Sequence, residues 1–302
     1  MKLLFAAATL LLPLATAHAA SDDPQPINCG NCAAWNQPHA PFKVFGNTWY
    51  VGTAGLSSVL VTGPKGHILI DGDLPQSAPQ IARNIAALGF RIEDVKLILN
   101  SHPHFDHAGG IAWLQRQSGA QVAASAAAVR VLEAGENPAD DPQFENLKGI
   151  SMPRIPHVRG VRDGETLAVG PLRITAVLTP GHAPGGASWR WRSCETSGGK
   201  ETCHDVVFAD SLNAVSDDDF RFTGDAHHPD RVPGFRAVIE KVAALPCDIV
   251  ISAHPDGADV LEKADARKDG VNPFIVPGAC RAYADAATQR LNARIDKERG
   301  QH

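Results

Sequence analysis

The chain has 302 residues, 44% hydrophobic and 20% charged, which is enough apolar material for a substantial buried core and excludes a disordered or collagen-like protein. Its 28 Lys+Arg against 33 Asp+Glu give a formal net charge of −5, and the basic residues are scattered rather than clustered. That balance argues against a nucleic-acid ligand and for a small-molecule partner.

Residues 1–19 carry Met1-Lys2, an apolar run from Leu3 to Leu14 and Ala17-His18-Ala19, the pattern of a secretory signal cleaved after Ala19. A membrane anchor is disfavoured because the run is short, contains Pro13 and has no basic stop-transfer cluster after it. No other segment is long and apolar enough to span, so residues 20–302 are expected to form a single exported domain. Six cysteines in an exported chain read as disulfides rather than metal ligands, because the compartment is oxidising. Cys29 and Cys32 form C-x-x-C in a Pro/Asn-rich leader with no helix pattern after it, which favours a small structural bridge over a redox pair.

Several short runs rich in Val, Ile and Leu follow, each bounded by Gly or Pro and each ending on a polar residue. His67 to Ile70 ends on Asp71, and Val95 to Leu99 runs into Asn100-Ser101-His102. Leu172 to Leu178 leads to Thr179-Pro180-Gly181-His182. Ala187 to Arg192 and Asp205 to Ala209 flank Ser197-Gly198-Gly199, a hairpin that brings Cys194 and Cys203 face to face. Within the second of these arms, Val206 to Phe208 ends on Asp210-Ser211, and Asp248 to Ile251 runs into Ser252-Ala253-His254. Helical patterns lie between at Ser77 to Leu88, Gly110 to Arg116, Ala124 to Ala134, Arg236 to Leu245 and Arg281 to Lys297. Strands interleaved with helices predict an α/β protein whose ligands gather beyond the carboxyl ends of the strands.

The densest constellation is Ser101-His102-Pro103-His104-Phe105-Asp106-His107, an H-x-H-x-D-H pattern expected by chance in about one such chain in a thousand. Three imidazoles and a carboxylate so close together are costly to bury without a partner, and a divalent metal is the usual one. His102 and His104 point to one side of an extended loop, while Asp106 and His107 open the next helix and face a neighbouring position. Two metal sites are therefore predicted, completed by His182 and His254 at other strand tips. Nitrogen and oxygen donors without a free thiolate suit zinc. His39, His67, His157, His204, His227, His228 and His302 read as ordinary surface or capping histidines.

These motifs resemble the metallo-beta-lactamase superfamily, and within it the subclass B3 enzymes. The resemblance runs through GNTWYVGT (46–53), GHILIDGD (66–73), SHPHFDHAGG (101–110), TPGHAPGGASW (179–189), FADSL (208–212) and AHP (253–255). It implies an αβ/βα sandwich, two mixed sheets with helices on the outer faces. It also implies two Zn2+ ions per chain, one on His102, His104 and His182 and the other on Asp106, His107 and His254. Ser211 stands where subclass B1 enzymes have a zinc-binding cysteine, which favours B3. Cys247 and Cys280 match a B3 disulfide. Ala54 replaces a cysteine found in some relatives, leaving Cys29 and Cys32 to pair with each other.

The implied reaction is hydrolysis of the beta-lactam amide by a metal-bound hydroxide, because two cations sharing a water lower its pKa. Asp106 would orient the nucleophile as well as bind metal, with Asp71 behind the ligands or capping a turn. Ser211 and Asn213 match positions that meet the substrate carboxylate, and Trp35 and Phe144 match walls of the pocket. A periplasmic monomer acting on beta-lactams, without membrane or nucleic-acid partners, is the resulting expectation. The main rival is a thioesterase or lactonase of the same superfamily, which usually adds a metal-bridging aspartate near FADSL, where Asp210 stands. A zinc buffer predicts a contiguous His-rich tract instead, and none is present.

Overall fold

The computed structural model describes residues 24–226 and 228–300, so the expected signal segment, His227 and His302 lie outside the described residues. Seven strands lie side by side in chain order: β1 (Phe42–Phe45), β2 (Thr48–Tyr50), β3 (Val59–Val61), β4 (His67–Ile70), β5 (Val95–Leu99), β6 (Gln121–Ser125) and β7 (Arg159–Val161). The first four pair antiparallel, and β4 to β7 pair parallel. A second sheet holds β8 (Thr166–Val169), β9 (Leu172–Leu178), β10 (Ala187–Ser197), β11 (Lys200–Ala209) and β12 (Ile249–Ser252), antiparallel except for β11 with β12. Helices are α1 (Cys32–Trp35), α2 (Ala78–Ala87), α3 (Phe105–Ala108), α4 (Ile111–Ser118), α5 (Ala126–Ala134), α6 (Phe144–Leu147), α7 (Val232–Ala243), α8 (Val260–Asp265) and α9 (Ala279–Glu298).

Strand alternation divides the apolar side chains of the first sheet between two cores. Ile68, Ile70, Leu97 and Leu99 pack with Trp189 and Trp191 of β10 between the sheets. Leu69, Ile98 and Val122 face the other way, against Ile81 and Ile85 of α2 and Ile111 and Leu114 of α4. Because β4 and the end of β5 are buried on both faces, their sequences read as continuous apolar runs. On the second sheet α9 packs against α7 and β12. It does so along Cys280, Tyr283, Ala284, Ala287, Leu291 and Ile295, which recur at three- and four-residue spacing. This is the αβ/βα sandwich of two mixed sheets that the motifs implied.

Local expectations fail where tertiary pairing outweighs composition. The helix expected over Ala124 to Ala134 begins at Ala126, because Ala124 and Ser125 finish β6 between β5 and β7. Ser125 Oγ then accepts the Ala128 N–H at 3.2 Å as the cap of α5. An alanine-rich strand carries little β-branched signal beyond Val122, so its sheet position decides. The C-x-x-C leader, read as lacking a helix, runs into the single turn of α1.

The six cysteines form three sulfur pairs at bonding distance: Cys29–Cys32 at 2.14 Å, Cys194–Cys203 at 1.99 Å and Cys247–Cys280 at 2.10 Å. Cys194 stands opposite Cys203 in the β10–β11 register. Cys247–Cys280 ties α9 to the chain entering β12 and closes a loop with a sequence separation of 33. Serine at both positions is expected to cost about 3–4 kcal/mol of stability on the chain-entropy account. Thermal unfolding of the double variant beside oxidised and reduced wild type checks this. Equal midpoints in all three would show that the cross-link contributes nothing.

Candidate metal centre

The carboxyl ends of strands from both sheets converge on one edge. Asp71 follows β4, Asn100 to His107 follow β5, His182 follows β9, Asp210 and Ser211 follow β11, and His254 follows β12. Hydrogen bonds knit the sheets together there: Ala187 N donates to Ser101 O at 2.7 Å, Trp189 Nε1 to Asn100 O at 3.1 Å and Ser57 N to Ala253 O at 2.9 Å. His104 precedes the single turn of α3, which turns Asp106 and His107 inward, and all three side chains are buried.

Two triads result. One ligand atom from each of His102, His104 and His182 lies within 4.8 Å of the others. Beside them, Asp106 Oδ2 is 3.5 Å from His107 Nε2 and 3.4 Å from His254 Nε2, and the two imidazole nitrogens are 3.2 Å apart. The triads adjoin, since the His102 and His107 ring centroids are 4.2 Å apart.

The far nitrogens of four of these five rings are hydrogen-bonded from behind, as metal-binding imidazoles require. His102 Nδ1 meets Asp210 Oδ1 at 2.8 Å and His104 Nε2 meets Asp141 Oδ2 at 2.9 Å, whereas His107 Nδ1, 3.6 Å from Asp71 Oδ2, is buried with no hydrogen-bond partner among the described residues. Backbone carbonyls serve the others, Asn213 O for His182 Nδ1 at 3.0 Å and Gly55 O for His254 Nδ1 at 3.2 Å. His102 Nε2 is buried with no hydrogen-bond partner among the described residues, an unmet lone pair aimed at the triads. Five imidazoles and one carboxylate so arranged fit divalent metal, zinc above all.

Electrostatics keep most of the nitrogens unprotonated. Burial, reinforced by neighbouring imidazoles, holds His102 well below its ordinary value, and burial brings His107 to about 3 and His182 to about 4. Burial alone would raise Asp106, but His107 and His254 hold it well below the usual carboxylate range. Asp71 is pushed up to about 7 by burial, against bonds from Ser101 and Asn100. It occupies the left-handed region at φ 59°, which is uncommon for a non-glycine residue and typical of strained positions beside functional sites.

Of the expected substrate residues, Trp35 stands at the centre, its ring 5.3 Å from that of His254. Ser211 is buried beside Asp210, and Asn213 contributes a carbonyl to His182 while its Oδ1 is buried without a partner among the described residues. Phe144 opens α6 and lines a hollow of about 310 Å³ with Glu136, Asn137 and Leu147, whose walls include none of the six metal-binding candidates. His39 and His228 lie at the surface and His204 pairs with Asp248, whereas His67 is buried, with Nδ1 accepting from Gly63 N at 3.3 Å. Sequence reasoning missed Asp141, Gln143 and the two carbonyl partners. Nothing in the sequence sets Asp141 apart from Asp140, and a carbonyl has no residue type to read.

Gly55 earns its place through close approach: an added Cβ would lie 2.6 Å from Trp35 Cα. Gly55→Ala is therefore expected to move both Trp35 and the carbonyl behind His254, lowering zinc occupancy of the Asp106–His107–His254 triad. Zinc per chain by elemental analysis checks this, and unchanged stoichiometry with unchanged affinity would refute it.

The metallo-beta-lactamase superfamily profile matches residues 52–196. Among solved structures, Rm3 metallo-beta-lactamase is 50% identical, with 90% of this chain and 100% of that chain covered at a TM-score of 0.85. MEM-A1, a subclass B3 metallo-beta-lactamase isolated from a soil metagenome library, is 49% identical over 89% of this chain and 100% of that one, at 0.82. The metallo-beta-lactamase SMB-1 is 48% identical over 87% and 99%, at 0.81. A probable metallo-hydrolase of Burkholderia pseudomallei (strain 1710b) is 34% identical over 116 residues, 36% of this chain and 34% of that protein, so the chain matches about a third of that relative's length.

Proposed function

The chain belongs to the metallo-beta-lactamase superfamily, and from that premise we propose that it is a subclass B3 enzyme hydrolysing the amide bond of beta-lactam antibiotics with two zinc ions. The observation that carries this reading is the pair of adjoining triads, His102–His104–His182 and Asp106–His107–His254, with the far nitrogens of four of the five rings hydrogen-bonded from behind. Relatives at 48–50% identity over nearly their whole length are metallo-beta-lactamases, which supports the substrate class.

Zinc in such a site lowers the pKa of water and polarises a carbonyl oxygen. The protein's own part is orientation. Asp106, held ionised, has an oxygen between His107 and His254, where it accepts a hydrogen bond from an incoming water and orients it. Ser211 and Asn213 supply neutral groups for the substrate carboxylate, and Trp35 forms a wall beside His254.

Asp210 separates this reading from the thioesterase and lactonase alternative. Its carboxylate is fully buried behind the first triad, Oδ1 on His102 Nδ1 at 2.8 Å and Oδ2 accepting from Thr179 Oγ1 at 3.1 Å. It is thus spent on positioning rather than turned toward both triads. Purified protein assayed on nitrocefin, imipenem, a glutathione thioester and a homoserine lactone tests the reading. Turnover of the beta-lactams alone is expected, and turnover of the thioester or lactone alone would overturn it.

The reading includes export, with residues 1–19 removed, the three cysteine pairs formed in an oxidising periplasm, and residues 20–302 acting as one monomeric domain. Among the described residues no helix is long and apolar enough to cross a membrane.

Acid should empty the two sites in order. Burial pulls His254 down, but the Asp106 hydrogen bond and charge outweigh it and raise its pKa above the ordinary 6.5. A proton there competes with metal as soon as the pH falls through that raised value, whereas His102 and His182 take protons only well below 6.5. Zinc per chain is therefore expected to fall from two toward one as the pH drops through the raised His254 value, before the ion of the first triad is lost. Elemental analysis after equilibration at each pH checks this, and simultaneous loss of both ions contradicts it.

A further inference from the structure

His104 differs from its neighbours in what stands behind it. Asp210 behind His102 and Asp71 behind His107 sit at strand ends, fixed by the sheets. Asp141 behind His104 instead lies in the irregular chain between α5 and α6. Its side chain is nevertheless 0% exposed, with Oδ2 2.9 Å from His104 Nε2 and Oδ1 accepting the Gln143 N–H at 2.9 Å. A carboxylate at that nitrogen only accepts, so it selects the imidazole form protonated at Nε2 and leaves the Nδ1 lone pair free for metal.

The segment carrying Asp141 is itself clamped. Asp217 accepts the N–H groups of Glu145 at 2.6 Å and Asn146 at 2.8 Å through its two carboxylate oxygens, while its own N–H donates to Pro142 O at 2.8 Å. Arg231 Nη2 donates to Asp140 O at 2.9 Å. Gln143, two residues beyond Asp141, brings its Nε2 to 3.3 Å from His182 Nε2, and Asn213, four residues before Asp217, holds the other nitrogen of that ring. One loop therefore reaches two of the three histidines of the first triad, and one carboxylate fastens the loop.

We propose that Asp141 is the positioning residue of the first metal site, fixing the tautomer and orientation of His104, and that the Asp217 clamp holds it there. The inference rests on the metal-binding reading above. It makes Asp217, an exposed-side contact with no reach to metal or substrate, a determinant of zinc affinity.

The test uses the full mature chain as wild type, Asp141→Asn, Asp141→Ala and Asp217→Ala. Zinc affinity is read by competition with a chromophoric chelator, and the His104 tautomer by 15N NMR of the metal-free proteins, a signature that a merely structural role would not move. Asp141→Ala is expected to weaken first-site zinc binding about 10- to 100-fold and to lose the single Nε2-protonated form. Asp141→Asn, whose amide oxygen still accepts the bond, should lose less, and Asp217→Ala should weaken the same site with Asp141 intact. If Asp141→Ala does not fold, the near-isosteric Asp141→Asn carries the test. Wild-type affinity and tautomer in both Asp141 variants would overturn the positioning role, and wild-type affinity in Asp217→Ala would overturn the clamp. A wild-type chain binding no zinc would instead sink the metal reading, and this inference with it.

Discussion

Stripping metal with a chelator is expected to cut beta-lactam hydrolysis by at least about 10³-fold, the rate equivalent of about 4 kcal/mol, with zinc restoring it. The size follows from what remains without metal. Ser211 is buried beside Asp210 with no hydrogen-bonded imidazole base among the described residues, and Ser101 Oγ donates to Asp71 Oδ2 at 2.5 Å. Ser101 Oγ also lies 3.4 Å from His102 Nδ1, but Asp210 Oδ1 occupies that nitrogen at 2.8 Å, so neither serine has the free base that a serine nucleophile needs. Elemental analysis must accompany the assay, because full turnover by protein verified as metal-free would leave the mechanism without support.

Asp106→Asn should have the second largest effect. The substitution keeps shape but removes the charge that lies 3.5 Å from His107 Nε2 and 3.4 Å from His254 Nε2. Zinc per chain is expected to fall from two to one, and kcat by about 10² to 10⁴, the usual range for a positioned acid or base. A second consequence needs no turnover: without Asp106, burial is left to pull the His254 pKa downward, so its NMR titration should move to lower pH. Retention of two zincs at wild-type affinity would show that Asp106 is not a ligand.

The candidate ligand set that the structure brings together was legible because covalent neighbours or strand ends carry it. His102 to His107 are contiguous, and His182 and His254 follow apolar runs whose burial on both faces makes them readable as strands. What supports the ligands was not legible, because it arrives through space. Asp210 meets His102 across 108 positions, Asp141 meets His104 across 37, and Gly55 O meets His254 across 199. Two of the four hydrogen-bonded supports are backbone carbonyls, placed by the path of the chain rather than by residue type. The fold shows the same divide: hydrophobic runs revealed β4, β5, β9 and β12, whereas β6 is built largely from alanine and exists because β5 and β7 flank it. Of the short strands β1 to β3 only β2 lies within a motif, GNTWYVGT, and all three have too few alternating positions for a period to show.

The first triad draws His102 and His104 from the chain after β5 and His182 from the chain after β9, so a shared ion would rivet the two sheets. Only a chain whose halves have docked can present all three, and an ion that binds that state alone adds about 4 kcal/mol to it when free metal exceeds its dissociation constant a thousandfold. Metal supply would then govern how long the protein lasts as well as how fast it works. In surroundings where zinc is scarce and proteases are plentiful, the unloaded chain would open more often and be cut sooner, so the standing amount of protein would follow the zinc available to it.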